Sequence, residues 1–371
     1  MRRARSFLLA LLIVGSTWLL MLRDHGWDIS RFVLAGDQFA APEVVPACLH
    51  VDRGSAGYDG QFYYRLGIAP FSFETRAHGI EFDYPVYRQQ RILYPLLAFV
   101  LAAGQPCAVL WSLALINVIA IAAIAAVAIM LLGDRGTWWS AVSVALWPGF
   151  IYSLARDLTE PLAMLLATLA IHMLVKRRFV PAALLLTAAG LARETSLLIP
   201  LSFLGLESFR SLSERRWPRH LWVGLIPIAA HVGWKLFLFA AWSLPVNFGA
   251  AIFAVPFSAP FRLLREALSH QDTVTAVEVL GLLVLGVVAA LALRRSDADP
   301  LIRICWLAYA AMLWSLDPGI WIEDVAFMRA ATEFGVVSLL LMASSVRAYR
   351  MAALLPILGW GLLTYDVILQ R

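Results

Sequence analysis

The sequence lacks the signatures of most soluble enzymes. It has no GxxxxGK[ST] phosphate loop, no GxGxxG fingerprint, no GxSxG elbow and no HExxH pair. These absences argue against an ATP-driven pump, a Rossmann-type nucleotide-sugar enzyme, a lipase and a zinc protease. Charge is also scarce. Only 15% of the 371 residues are charged, against about 25% in a typical globular protein. Lysine is nearly missing, with Lys176 and Lys235 the only two among 30 basic residues, and this heavy use of arginine and alanine points to a GC-rich bacterial genome. There are three cysteines, Cys48, Cys107 and Cys305, in no CxxC or His/Cys arrangement, so no zinc site is indicated. Cys48 and Cys107 are able to pair on an oxidising side, although separate free thiols are the expectation.

What is present is apolar sequence, 61% of the chain, in runs of membrane length. The expected fold class is an all-α polytopic membrane protein, because lipid leaves backbone polar groups no partner outside a helix or closed barrel. The alternating pattern of an outer-membrane barrel is absent. Arg2, Arg3 and Arg5 precede Phe7–Leu22, read as an uncleaved first helix with its N-terminus in the cytoplasm rather than a signal peptide. Residues 23–90 form a long first outer loop, too aromatic for disorder. Short amphipathic helices lying on the membrane surface are expected there. Arg91–Gly104 is too short to cross.

Spans are expected at Cys107–Leu132, Trp138–Ala155 (with Pro148 inside), Leu162–Val175, Val180–Ala192, Ser196–Leu206, Leu221–Trp242, Val274–Leu293, Leu301–Leu316, Phe334–Ser344 and Met351–Leu369. With the first helix this makes about eleven membrane helices in a single domain covering 1–371, with further outer loops at 243–272 and 317–333. The charges agree with this topology. The proposed cytoplasmic segments hold 16 basic and five acidic residues, and the remainder 14 and 20. That is the positive-inside bias, and it places the first loop outside the cytoplasm. The net charge of +5 therefore reads as membrane orientation and not as a nucleic-acid surface.

The chemistry is sought in the polar interruptions. In Gly57-Tyr58-Asp59-Gly60-Gln61-Phe62-Tyr63-Tyr64-Arg65, one carboxylate stands among aromatics. If a helix follows Gly57, Asp59, Phe62, Tyr63 and Leu66 share a face. Asp59 also fits a plain helix N-cap. A charge near a helix centre costs roughly 2.5–3.5 kcal/mol on insertion scales, so Arg193, Glu194, Lys235 and Arg329 need a partner or a task. Converged at the outer leaflet, the cations would suit a lipid phosphate. Alternatively they pair with Glu194 and neighbouring acids as structural elements. Asp157 and Glu160, beside Pro161, are either ligands for an acceptor hydroxyl or a divalent metal, or favourable acids at a helix start. His172 and His231 are expected to be polar core residues. No cofactor other than such a metal is suggested.

Several of these stretches resemble GT-C-type glycosyltransferases, polytopic enzymes that use polyprenyl-phosphate sugars. Tyr58-Asp59-Gly60, Ala69-Pro70-Phe71, Tyr87-Arg88 and Arg91-Ile92-Leu93-Tyr94-Pro95-Leu96 resemble the first outer loop of bacterial mannosyltransferase-like and GPI mannosyltransferase-like members. Asp157-Leu158-Thr159-Glu160-Pro161 resembles their Thr-Glu turn, and Ala192-Arg193-Glu194-Thr195 their Arg-containing break. The likeness covers roughly residues 1–210, and Asp59 lacks the neighbouring acid that many members carry. The resemblance implies inverting transfer of a sugar from polyprenyl phosphate to a cell-surface glycan or glycolipid acceptor at the outer face of the bacterial inner membrane. Asp59 would be the general base. Arg193, Arg329 and Lys235 would hold the lipid phosphate. Tyr58, Gln61, Tyr63, Tyr64, Arg91, Tyr94, Asp157, Glu160 and Glu194 would surround the sugar and acceptor, with Tyr63 and Tyr64 stacking on the sugar. A lipid-linked glycan flippase, or a non-catalytic partner in glycopolymer assembly, is the alternative.

Overall fold

The computed structural model describes residues 2–247, 253–322, 324–347 and 349. The expected last span, Met351–Leu369, lies outside the described residues, as do Glu323, Arg350 and 248–252. The chain is all-α. In order, the helices are α1 (Arg2–Asp24), α2 (Gly60–Ile68), α3 (Pro85–Gln89), α4 (Leu93–Ala102), α5 (Pro106–Leu132), α6 (Trp138–Ala145), α7 (Pro148–Leu154), α8 (Glu160–Val175), α9 (Phe179–Ala192), α10 (Leu198–Ser213), α11 (Trp222–Ala241), α12 (Ser258–Ser269), α13 (Thr273–Leu293), α14 (Pro300–Trp314), α15 (Asp324–Ala330) and α16 (Thr332–Ala343). Among the described residues, strands are limited to two short ribbons in the first loop.

Among the described residues, α1, α5, α11 and α13 are long and apolar enough to cross a bilayer, which marks a membrane protein. Five shorter apolar helices, α4, α8, α9, α14 and α16, accompany them. At about 1.5 Å per residue, the 16 residues of α8 fall short of a hydrocarbon core about 30 Å thick. The expected span Trp138–Ala155 is two helices. Pro148 has no N–H to continue α6, and Trp147 before it is extended at φ −58°, ψ 129°. Packing between helices uses small side chains. α8 and α9 lie along each other, burying Ala163, Ala167 and Ala170 on one and Ala182, Ala183 and Ala189 on the other.

The first loop departs most from expectation. α2 does not lie on a surface, because all nine of its residues are buried. Phe32, Phe62, Ile80 and Phe82 of the loop join the same apolar cluster as Leu113 and Ile121 of α5. Arg65, also fully buried, makes the fold inward tolerable. It donates to the carbonyls of Thr75 (2.7 Å), Ile80 (2.9 Å) and Glu74, and lies 3.8 Å over the Phe82 ring. Cys48 and Cys107 form a disulfide, contrary to the expectation of free thiols; the inward fold brings their Cα atoms to 5.7 Å. Gly60 lets α2 begin against the turn after α7, where a Cβ would stand about 2.5 Å from the Arg156 carbonyl oxygen. That contact carries Asp59 to the bundle.

Candidate functional site: a chain of alternating charges at one end of the bundle

Asp59 occupies the N-cap position of α2 but does not cap it. Its backbone is already helical (φ −56°, ψ −30°) and its carboxylate bonds no α2 amide. Instead Oδ1 accepts from Arg88 Nη1 at 2.5 Å and Oδ2 from Arg329 Nη2 at 3.3 Å, with Arg91 Nη1 at 3.9 Å. The side chain is 17% exposed. Burial pushes its pKa up, but Arg329, Arg88 and Arg91 outweigh burial and hold it below the ordinary carboxylate value. Asp59 is therefore ionised at neutral pH and still touches solvent.

The pattern of acid against arginine continues on both sides. Arg88 is gripped by Asp83 at 2.5 and 2.8 Å and lies 4.4 Å over the Phe62 ring. Arg329 spends its fork on three groups: Nε and Nη2 pair with Glu160 at 2.8 and 2.7 Å, Nη1 donates to the Tyr58 hydroxyl at 2.9 Å, and Nη2 reaches Asp59. Glu160, with no exposed side-chain surface, also pairs with Arg193 at 2.5 Å and accepts from Ser153 Oγ at 3.2 Å. Arg193 Nε lies 3.3 Å from Glu333, to which the Thr195 hydroxyl donates. Arg91 forms the branch, with a two-pronged pair to Glu194 at 2.6 and 2.9 Å and donation to the hydroxyls of Tyr63 (3.1 Å) and Tyr87 (2.9 Å). Four arginines thus face Asp59, Asp83, Glu160, Glu194 and Glu333. Most arise beside the start or stop of a helix, so several of the helix breaks read in the sequence become adjacent in space.

Arg193 and Arg329, whose convergence the sequence left as a condition, meet on the Glu160 carboxylate. Glu160 stands in the first turn of α8, as the helix-start reading expects, and two buried guanidiniums hold its carboxylate. Among the described residues, no group of three or more His, Cys, Asp or Glu could hold a metal. The ion pairs that hold Asp59, Glu160 and Glu194 come from Arg88, Arg91, Arg193 and Arg329. Lys235, expected with them, sits half-buried on α11 one turn past His231, whose ring bonds the Gly190 carbonyl at 3.0 Å.

Other expected contacts are structural. Gln61 ties the loop, accepting from Gly36 N at 3.3 Å and donating to Ala56 O at 2.9 Å. Tyr94 donates to Leu113 O and accepts from Asn117. Tyr63 and Tyr64 are wholly buried, so neither ring offers a face for a sugar to stack on; the aromatic run packs into the core instead. Asp157 is enclosed too. It takes the left-handed conformation (φ 47°) and is fully buried, and among the described residues no group donates to either oxygen. Burial holds its pKa well above the ordinary value.

Asp83 and Glu333 were not singled out in the sequence, and Tyr87 and Thr195 stood only within the resembling stretches, with no role of their own. Glu333 carried a signal, standing four residues after Arg329 where a new apolar helix begins.

Beside the charged chain lies an open cavity of about 620 Å³ between α10 and α14. Glu194 and Thr195 stand at its polar end, and Leu197, Leu198, Leu201, Ala308, Ala311 and Met312 line the rest. No family model matches the chain, and neither a curated protein nor a solved structure matches it.

Proposed function

We propose that the chain is a membrane glycosyltransferase of GT-C type. It moves a sugar from a polyprenyl-phosphate donor to a cell-surface glycan or glycolipid acceptor at the extracytoplasmic face of the bacterial inner membrane, with inversion. The observation that carries the reading is the state of Asp59: released from capping, ionised, in contact with solvent and flanked by arginines. In this reading Asp59 takes the proton of an acceptor hydroxyl as its oxygen attacks the anomeric carbon and the bond to the lipid phosphate breaks. Positive charge from Arg91 and Arg329 offsets the phosphate dianion as it leaves. One displacement with one base and no covalent intermediate inverts the centre.

Two further features support the reading. The apolar cavity beginning at Glu194 and Thr195 suits a lipid chain whose polar head lies among the arginines. The Cys48–Cys107 disulfide suits an oxidising, non-cytoplasmic side. That side requires the N-terminus of α1 in the cytoplasm. A test uses the full-length protein in detergent with polyprenyl-phosphate hexoses and pentoses. Release of polyprenyl phosphate by the wild type, reduced about 10²- to 10⁴-fold in Asp59→Asn, is expected for one sugar. Equal release by both proteins would remove Asp59 from the mechanism.

A further inference from the structure

The opposite end of the bundle holds a second polar cavity, separate from the Asp59 group and independent of the proposed transfer. Its volume is about 320 Å³, and its polar wall comprises Arg177, Arg210, Arg216, His220, Glu207, Glu214 and Asp299. The cations differ in how far they are committed. Arg216 is held by Glu214 at 2.6 Å and Glu207 at 3.4 Å. Asp299 caps α14, accepting from Leu301 N at 2.9 Å. The guanidiniums of Arg177 and Arg210 donate to no protein acceptor among the described residues. His220 is fixed by stacking on Phe179, with ring centroids 3.9 Å apart and planes 20° from parallel. The cavity therefore has a stacked imidazole, two acids paired with Arg216, Asp299 engaged as a helix cap, and two planar donor forks without acceptors.

Its rim is apolar. Phe209, Leu212 and Trp217 are 69, 80 and 86% exposed and interleave with Arg210, Arg215, Arg216 and Arg219. Exposed aromatic and aliphatic side chains among arginines are what a membrane–water interface accepts. A phosphate in the cavity would meet guanidinium forks of matching geometry.

We propose that this cavity binds a phosphate group, carried either by an anionic lipid headgroup or by a small soluble molecule. Two probes on the full-length protein in detergent test it: phosphatidylglycerol, counted as retained adducts by native mass spectrometry, and inorganic phosphate, followed by isothermal titration. Wild type is expected to retain one phosphatidylglycerol or to bind phosphate. The pair Arg177→Ala/Arg210→Ala is expected to weaken that binding at least about tenfold, since removing a single charge-assisted hydrogen bond costs about that factor. Arg177→Lys/Arg210→Lys, which keeps the charge, retains part of it. Arg262→Ala/Arg265→Ala on α12, which removes the same charge elsewhere, leaves it unchanged. A lipid adduct that phosphate does not displace assigns the site to a headgroup, and displacement by phosphate assigns it to a soluble ligand. Three results overturn the proposal: neither probe binding wild type, the alanine pair binding as wild type does, or the α12 pair weakening binding as much.

Discussion

The two ends of this bundle use arginine in opposite ways. At the Asp59 end, Arg91, Arg193 and Arg329 are buried, each matched to a carboxylate, and their forks are spent on several groups at once. At the other end, Arg177, Arg215 and Arg219 are exposed. Residue type therefore says little about role here; the acids that accompany each arginine decide it. A buried guanidinium is stable only while its carboxylates remain, because desolvating either partner alone costs several kcal/mol. An exposed one contributes to orientation through the bilayer and adds little to the fold.

Glu160→Ala should widen the contrast most. It leaves Arg193 and Arg329 short of a buried partner and should cost about 3–5 kcal/mol, read as a lower thermal midpoint of the purified protein. A variant as stable as wild type would mean the alternating chain does not hold this end together.

The disulfide comes next. Cys48 and Cys107 are 59 residues apart, and Cys107→Ser should cost about 2–4 kcal/mol. Reductant should bring wild type down to the variant's midpoint while leaving the variant unchanged.

Two acids at the same end should then respond oppositely to pH. The pKa of Asp59 is depressed in the fold, so its contribution is present above the unfolded value of 3.8 and is lost as pH falls through the folded value. Asp59→Asn should flatten the acid limb of stability. The pKa of Asp157 is raised, so stability falls as pH rises from 3.8 toward the folded value. Asp157→Asn should gain on wild type as pH rises above the unfolded value of 3.8, and a steady deficit instead would mean that the carboxylate is charged and paired. The smallest effect belongs to the far end, where Arg219→Ala should change stability by no more than about 0.5 kcal/mol.

Much of the fold was legible because lipid removes alternatives: apolar runs of sufficient length must be helices, and the helix breaks carry the polar residues. That is how Asp59, Glu160, Arg193, Glu194 and Arg329 stand out in the sequence without knowledge of their partners. Pairing was not legible, since it depends on which breaks meet in space. Arg88 joining Asp59 to Asp83, and Glu333 reaching Arg193, are contacts between segments far apart or lacking local periodicity. The burial of α2 was missed for a related reason. Gln61 and Tyr63 were read as surrounding a sugar and Arg65 was given no role, yet each is buried and finds its partners within the protein. Pro148 was read as lying inside one span, and the break between α6 and α7 follows from its missing amide.

The most direct test of the account is made in the cell. A null strain is complemented with wild type or with Asp59→Asn at equal membrane abundance, and its surface glycans are extracted and weighed by mass spectrometry. The account predicts that Asp59→Asn lacks one sugar residue and accumulates the shorter acceptor, the missing mass identifying the sugar. Full glycan from Asp59→Asn would contradict it, and the glycan-transport and assembly-partner readings would take its place.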